Sequence, residues 1–308
     1  YTGKGLCEGS YNVFLGYAAG CCSGTNGCEM NNSVLIGVNA GQKTCFGGQA
    51  VFVGPSTGYN TLASTDSVFV GCNAGYGING CTGGVESIFI GKAAGYSHQC
   101  GKGNIAMGTF AGKNITDGCY NVFFGTRAGV YNCSGCRNVY IGQTWTGAGM
   151  NGKWNIAMGN NAMYGAPSSQ VNNTGENNIA FGDSPMYYMC NGDHNFAVGY
   201  TAMYGDGTTM ITGNNNIALG YGTMYDIEDA NSNVAIGKNA GRGVESGDYN
   251  GMIGENAGCN MHDGLRHVVI GVDSGKGDMT SATDNVIIGS SASNGNTSGS
   301  QNIYMGYK

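Results

Sequence analysis

The sequence predicts an all-β chain: a parallel β-solenoid of about seventeen coils with a 17-residue repeat. Three observations carry that reading. A glycine recurs at Gly16, Gly37, Gly54, Gly71, Gly91, Gly108, Gly125, Gly142, Gly159, Gly182, Gly199, Gly220, Gly237, Gly254, Gly271, Gly289 and Gly306. Eleven of the sixteen steps are 17 residues long, and the other five are 17 plus an insertion. Each of these glycines closes a triplet that is apolar in every copy except the one opened by Gly251.

The triplet, as in Val13-Phe14-Leu15, is the strand of each coil. Side chains alternate faces along a strand, so its first and third residues share one face and its second takes the other. A strand with one wet face would alternate apolar with polar, and this one does not, so both faces are expected to be covered. The uniform Val and Ile positions are expected to fill the coil interior. The variable middle residue, Phe in Phe14, Phe52, Phe69, Phe89 and Phe123 but Ala in Ala157, Ala180, Ala197 and Ala218, is expected to meet another chain.

Small residues hold the remaining fixed phases. Gly stands seven residues before the closing Gly in thirteen copies, which with the closing Gly suggests two turns per coil. Asn precedes the triplet in twelve copies and Ser33, Ser67 and Ser87 in three more. Stacked Asn side chains can bond one another along such an array. Ala, Thr or Ser follows the closing Gly by three residues in all but the Trp145 and Pro185 copies, which lets the chain fold tightly over the strand. Representative repeat residues are Asn12, Val13, Phe14, Leu15 and Gly16; Asn121, Val122, Phe123, Phe124 and Gly125; and Asn155, Ile156, Ala157, Met158 and Gly159.

Along the chain, insertions occur at Cys21–Cys28 and between Tyr76 and Gly84. Larger ones lie around Pro167-Ser168-Ser169 and Asp206-Gly207-Thr208. All five insertions fall in one part of the coil, the edge expected to carry variable, partner-contacting surface. Copies nine to twelve combine Ala in the triplet with Met163-Tyr164, Met186-Tyr187, Met203-Tyr204 and Met224-Tyr225, as if bulk removed from the strand were returned there. Ala106 and Ala235 lack that compensation. The unbroken repeat reads as one array over residues 1–308. Its ends show no polar capping segment, which suggests either a cut from a longer array or subunits that stack end to end.

Composition excludes several classes. Residues 1–150 carry seven Lys/Arg against five Asp/Glu and the rest six against fourteen, with no basic stripe of the kind nucleic acid requires. No apolar run reaches membrane-spanning length and no signal peptide is present, so membrane insertion is not expected. Cys7, Cys28, Cys45, Cys133 and Cys190 share one phase and read as packing residues; thirteen Cys without fixed pairs do not form a disulfide framework. Cys133-Ser134-Gly135-Cys136 lacks a second pair for zinc. Asp226-Ile227-Glu228-Asp229 reads as a solvated acidic loop rather than a Ca²⁺ site. His98, His194, His262 and His267 share no phase with a repeated carboxylate, and no nucleophile elbow or phosphate loop occurs, so neither catalysis nor a cofactor is expected. Five sequons, at Asn31, Asn114, Asn132, Asn172 and Asn296, are about the chance number for this Asn and Ser/Thr content.

The unit Asn12-Val13-Phe14-Leu15-Gly16-Tyr17-Ala18-Ala19-Gly20 resembles repeats of bacteriophage tail-fibre and virion structural proteins, especially those of marine and cyanobacterial phages. It is also similar to the shorter head repeat of trimeric autotransporter adhesins, a left-handed parallel β-roll. The resemblance runs through all seventeen copies. It implies a left-handed coil and a homotrimeric, rigid, adhesive fibre on a virion or cell surface, outside the cell. The partners implied are further copies of the chain and a host-surface glycan or receptor. A self-stacking extracellular filament subunit without a receptor is the alternative. Leu15-Gly16-Tyr17-Ala18-Ala19-Gly20 also mimics one hexapeptide of the left-handed β-helix acyltransferases, but those need three per coil and a catalytic His. An ice-binding face needs regular outward Thr, whereas Tyr17-Ala18, Val38-Asn39 and Pro55-Ser56 are irregular.

Overall fold

The computed structural model describes residues 2–4, 9–21, 29–44, 46–61, 65–77, 85–165, 173–205, 207–208, 210–295 and 298–307. Cys7, Cys28, Cys45, Pro167-Ser168-Ser169, Asp206 and most of the first two insertions lie outside them. The chain divides into two compact units, Tyr1–Lys153 and Trp154–Lys308. All regular structure among the described residues is β-strand. In the first unit these are β1 (Val13–Leu15), β2 (Glu29–Asn31), β3 (Val34–Ile36), β4 (Phe46–Gly48), β5 (Val51–Val53), β6 (Val68–Val70), β7 (Ile88–Ile90), β8 (Ile105–Met107), β9 (Val122–Phe124) and β10 (Val139–Ile141). In the second they are β11 (Ile156–Met158), β12 (Ile179–Phe181), β13 (Phe196–Val198), β14 (Ile217–Leu219), β15 (Val234–Ile236), β16 (Gly251–Ile253), β17 (Val268–Ile270), β18 (Val286–Ile288) and β19 (Ile303–Met305).

Each unit is a parallel β-solenoid. Within it, successive triplets pair at equivalent residues, as Val51↔Val68 and Phe52↔Phe69, or Ile217↔Val234 and Ala218↔Ala235. β2 and β4 form a second, two-stranded parallel sheet. The ladder continues outside the strands: Gly58 N donates to Ala74 O at 2.9 Å and Lys43 N to Tyr59 O at 2.9 Å.

A buried amide ladder sets which way each triplet faces. The Asn before the triplet is fully buried in copy after copy, including Asn104, Asn121, Asn138, Asn155 and Asn178. Asn121 Nδ2 donates to Gly135 O at 2.7 Å and to Asn104 Oδ1 at 3.0 Å, and its Oδ1 accepts from Asn138 N at 3.0 Å. Ser87 keeps only the acceptor half of this pattern, taking Asn104 N at 3.3 Å. His267 stands in the column as a neutral ring: Nε2 donates to Ala282 O at 3.0 Å and Nδ1 accepts from Asn285 N at 3.2 Å.

The expected assignment of the triplet faces is reversed. Residues two apart share a face, so an inward Asn forces the middle triplet residue inward and the first and third outward. Phe52, Phe69, Phe89, Phe123, Tyr140 and Ala157 are fully buried, while Phe124 and Met158 are 52 % and 40 % exposed. The middle residue therefore varies without touching another chain, because its variation is absorbed inside the coil.

Where the middle residue is Phe, the facing position four residues after the closing Gly is Gly. A Cβ on Gly75 would lie 2.6 Å from Phe69 Cδ2, and one on Gly129 2.7 Å from Phe123 Cδ1. Where the middle residue is Ala157, Ala180, Ala197 or Ala218, that position holds Met163, Met186, Met203 or Met224, all fully buried. These Met residues keep the left-handed φ of the glycines they replace, 49 to 53°. That conformation costs roughly 1–2 kcal/mol for an L-residue, and burying the side chain offsets it with about 1.5–3 kcal/mol. The two exceptions are filled differently. Ile115, fully buried, lies with Phe123 against Gly112, the position four residues after the closing Gly of the Ala106 copy, and Met224 and Met252 from flanking coils close in on Gly241, the same position in the Ala235 copy.

The closing glycines answer to another constraint. Gly71 has φ of 132°, and a Cβ there would sit 2.6 Å from the carbonyl oxygen of Gly91 in the next coil. Any side chain would strike the backbone stacked on it, and the same clash with the next coil recurs at Gly16, Gly37, Gly108, Gly199 and Gly271.

Two stability outcomes follow from this packing. Phe69→Ala lowers unfolding free energy by about 3–5 kcal/mol. Gly75→Met destabilises the wild type but stabilises Phe69→Ala by about 1 kcal/mol, read by urea unfolding as a double-mutant cycle; additive effects would sink the packing exchange. Asn121→Ala leaves Gly135 O and Asn138 N buried and unpaired at about 1–3 kcal/mol each. Asn121→Ser costs less, since a hydroxyl keeps the Asn138 N–H satisfied, and equal losses for the two variants would count against the ladder.

Candidate functional site

The strand face left outside the coil is a chemically uniform surface in each unit. In the first unit it is two ladders, one through Val51, Val68 and Ile88 and one through Val53, Val70 and Ile90, all half-buried. In the second, Ile217, Ile236, Ile253, Val268 and Ile270 are 37 to 43 % exposed. No charged residue occurs in any triplet. These rows make a contiguous uncharged aliphatic surface in each unit, the kind of patch that marks an interaction site.

Among the repeat residues singled out from the sequence, Asn121, Phe123, Asn155 and Ala157 are buried in the coil, and Val122, Phe124, Ile156 and Met158 form the outer ladders. Gly125 and Gly159 belong to the closing column, with φ of 124° and 127°. Asn12, Val13, Phe14, Leu15 and Gly16 repeat the arrangement in β1, where Val13 and Leu15 are 54 % and 64 % exposed.

Flanking the strand face, aromatic side chains form ladders that the sequence signalled only as a shared phase. Five residues after the closing Gly, Tyr59, Tyr76 and Tyr96 stack at 5.1 and 4.9 Å with rings within 6° of parallel. In the second unit Tyr187, Tyr204 and Tyr225 stack at 4.9 and 5.0 Å. Burial, with neighbouring tyrosines adding to it, pushes the Tyr204 phenol up to about 12. Arg242 caps the second ladder, 5.5 Å from the Tyr225 ring, and Lys43 lies 5.1 Å from that of Tyr59. At two further phases of the repeat, ordinary residues take left-handed backbone, Tyr120, Arg137 and Tyr249 at one and Phe110, Arg127 and Asn239 at the other. Their signal was faint, an enrichment of Asn at Asn39, Asn73, Asn161, Asn239 and Asn256.

The titratable groups are dispersed. Lys238–Glu255 at 3.0 Å, Arg266–Asp284 at 2.6 Å and His262–Glu245 at 2.9 Å each join neighbouring coils at the surface, where such pairs contribute about 0–1 kcal/mol. Among the described residues no three His, Cys, Asp or Glu side chains come together as a metal set. No helix there is long and apolar enough to cross a membrane. Cys133 and Cys136 are free thiols, and burial, reinforced by Asp117, holds the Cys133 thiol above its ordinary range. Cys100 is disulfide-bonded. The backbone of the acidic loop runs in the ladder, with Asp226 N donating to Arg242 O at 2.9 Å and Glu228 N to Glu245 O at 3.1 Å.

The chain matches no family model, no curated protein and no solved structure.

His98 is the one histidine sealed in a coil without a full set of partners among the described residues. Its Nε2 donates to Gly101 O at 2.8 Å, the ring meets Phe89 edge-on at 4.9 Å, and Nδ1 is buried with no partner. Burial pushes its pKa down from 6.5 to about 4, against the opposing pull of the Gly101 carbonyl. The folded state binds the proton less readily than the unfolded state. The stabilisation is therefore complete above pH 6.5 and is lost between pH 6.5 and 4, amounting to about 3 kcal/mol. His98→Leu is expected to remove that share of the acid sensitivity while lowering stability at neutral pH. Urea unfolding at pH 7.5 and 4.5 measures both, and an unchanged pH dependence in the variant would overturn the assignment.

Proposed function

We propose that this chain is a structural fibre protein that associates with further copies of itself through the outward strand face. The observation that carries the reading is the pair of uncharged aliphatic ladders in each unit, exposed where a free surface would carry polar side chains. Two such faces brought together remove their aliphatic rows from water at about 25 cal/mol per Å². A stable contact needs about 800 Å² from each partner, and a face that repeats coil after coil gains area with every coil it adds. The 17-residue period makes every coil of one copy equivalent to every coil of the next, which favours an extended, in-register contact. The resemblance to trimeric fibres makes a homotrimer on a virion or cell surface the expected assembly.

The adhesive role forms the finer part of the proposal. Away from the strand face, exposed side chains change from coil to coil, as at Tyr120, Trp154 and Tyr249, 44, 45 and 63 % exposed. A surface that varies over an invariant backbone is suited to recognition.

Light scattering on the purified chain, with negative-stain imaging of the same sample, tests the assembly. A discrete oligomer is expected. Phe124→Lys and Ile90→Lys, at outward positions, are expected to weaken self-association about 100-fold by setting like charges face to face, with the circular dichroism spectrum unchanged. A wild-type monomer at micromolar concentration would overturn the proposal.

A further inference from the structure

One wall of the second unit carries a groove that the self-association proposal does not use. A 380 Å³ depression lies between two tyrosine columns, Tyr200 with Tyr221 on one side and Tyr204 with Tyr225 on the other, with Ser184 and Thr201 also lining it. Asn239 and Arg242 line it too, and both also line a second depression of 430 Å³ that continues to Asn256, Asn260 and Lys276. From the coil of Ser184 to that of Lys276 is five strand spacings, roughly 24 Å.

The groove follows fixed phases of the coil while its side chains change, tyrosines in two coils and then amide, guanidinium and amine groups. Tyr200 and Tyr221 stack at 5.2 Å, Tyr204 and Tyr225 at 5.0 Å, and Asn239 Nδ2 donates to Asn256 Oδ1 at 3.1 Å. The stacked rings cover one another's faces, so they offer the groove C–H edges and phenol hydroxyls. Tyr200 and Tyr221 remain 51 % and 55 % exposed, too open for rings placed only for packing. Hydroxyl, amide and guanidinium groups at regular intervals, alternating with C–H edges, complement a ligand that is itself periodic, polyhydroxylated and apolar on its C–H faces.

We propose that this groove binds a linear polysaccharide lying along the coil axis, of the extended β-1,4-linked pyranose type. Such a chain advances per sugar by a distance of the same order as the strand spacing, about 4.8 Å. Successive sugars then meet matching phases of the coil, and their hydroxyls bond to the tyrosine groups in one half and to the Asn and Arg groups in the other. Arg242, which lines both depressions, bridges the tyrosine half and the amide half. The proposal rests on the adhesive part of the function above and is independent of self-association.

Isothermal titration of the full chain with cellohexaose, chitohexaose and β-1,4-mannohexaose, their dimers, and maltohexaose tests it. At least one β-1,4 hexamer is expected to bind about tenfold or more tightly than its dimer and than the coiled α-linked maltohexaose, a difference of about 1.4 kcal/mol. Tyr221→Ala and Arg242→Gln are each expected to weaken that binding about tenfold, with circular dichroism and oligomer mass unchanged. Absence of hexamer binding at millimolar concentration, equal affinity for dimer and hexamer, or indifference to both substitutions overturns the proposal. An oligomeric chain that ignores every hexamer sinks this inference alone; a monomer that binds one sinks the self-association reading alone.

Discussion

The buried Asn ladder is the constraint on which the rest of the structure depends. An amide sealed in a coil interior must satisfy both donor and acceptor, and the coils supply partners at fixed places. Asn233 illustrates this: Nδ2 reaches Gly247 O at 2.7 Å, and Oδ1 takes Asn250 N at 2.8 Å. Those bonds hold only if the side chain points inward and successive coils stay in register. A slip by one residue would turn the amide to solvent and bring the aliphatic ladders inside, leaving buried backbone groups unpaired. Inward Asn, inward middle residue and outward aliphatic pair therefore come as one package. His267 can join the column because a neutral imidazole presents one donor and one acceptor, as an amide does.

Within that frame the interior tolerates exchange at constant volume. Phe89 faces Gly95, whose added Cβ would lie 2.6 Å from the ring, whereas Ala180 leaves room for Met186. Unbranched Met suits the exchange because it fills irregular gaps. The stacked rings add their own continuity: Phe52, Phe69 and Phe89 lie at 4.8 and 4.9 Å, close to the strand spacing. A core built this way is felt across neighbouring coils, as the flanking Met224 and Met252 around Ala235 illustrate.

The fold class was legible because the closing glycines carry their phase in the plain sequence, and the Phe-to-Met exchange could be seen as a covariation. The direction of the triplet could not be read from uniformity alone. Val and Ile at the outer positions suggested a core, yet they are the exposed rows, while the variable Phe14, Leu35 and Ala106 point inward. Parity could have been taken from Asn12, two residues before Phe14, had the burial of that amide been given more weight than the apolar character of Val13 and Leu15. The left-handed columns through Tyr120 and Phe110 were illegible for a physical reason. Left-handed strain of roughly 1–2 kcal/mol per residue is spread over a cooperative stack, so side chains there need not be Gly or Asn. The tyrosine groove is not legible in the sequence because Tyr200 and Tyr204 lie in different phases of one copy, and only the coil brings both to one depression.

A repeat of this kind arranges its side chains in rows. Catalysis needs several different groups converging on one point with shifted proton affinities, whereas stacking equivalent residues produces rows of the same group. The rows present here are amides inside, aliphatics on the strand face and phenols along the edge. His98, whose pKa burial pushes down to about 4, lies 2 % exposed against Phe89. Rows recognise rows. On the proposed function, the partners would be molecules with a matching period, an identical chain laid against the aliphatic ladders or a polymer laid along the tyrosines, and affinity would grow with the number of coils engaged.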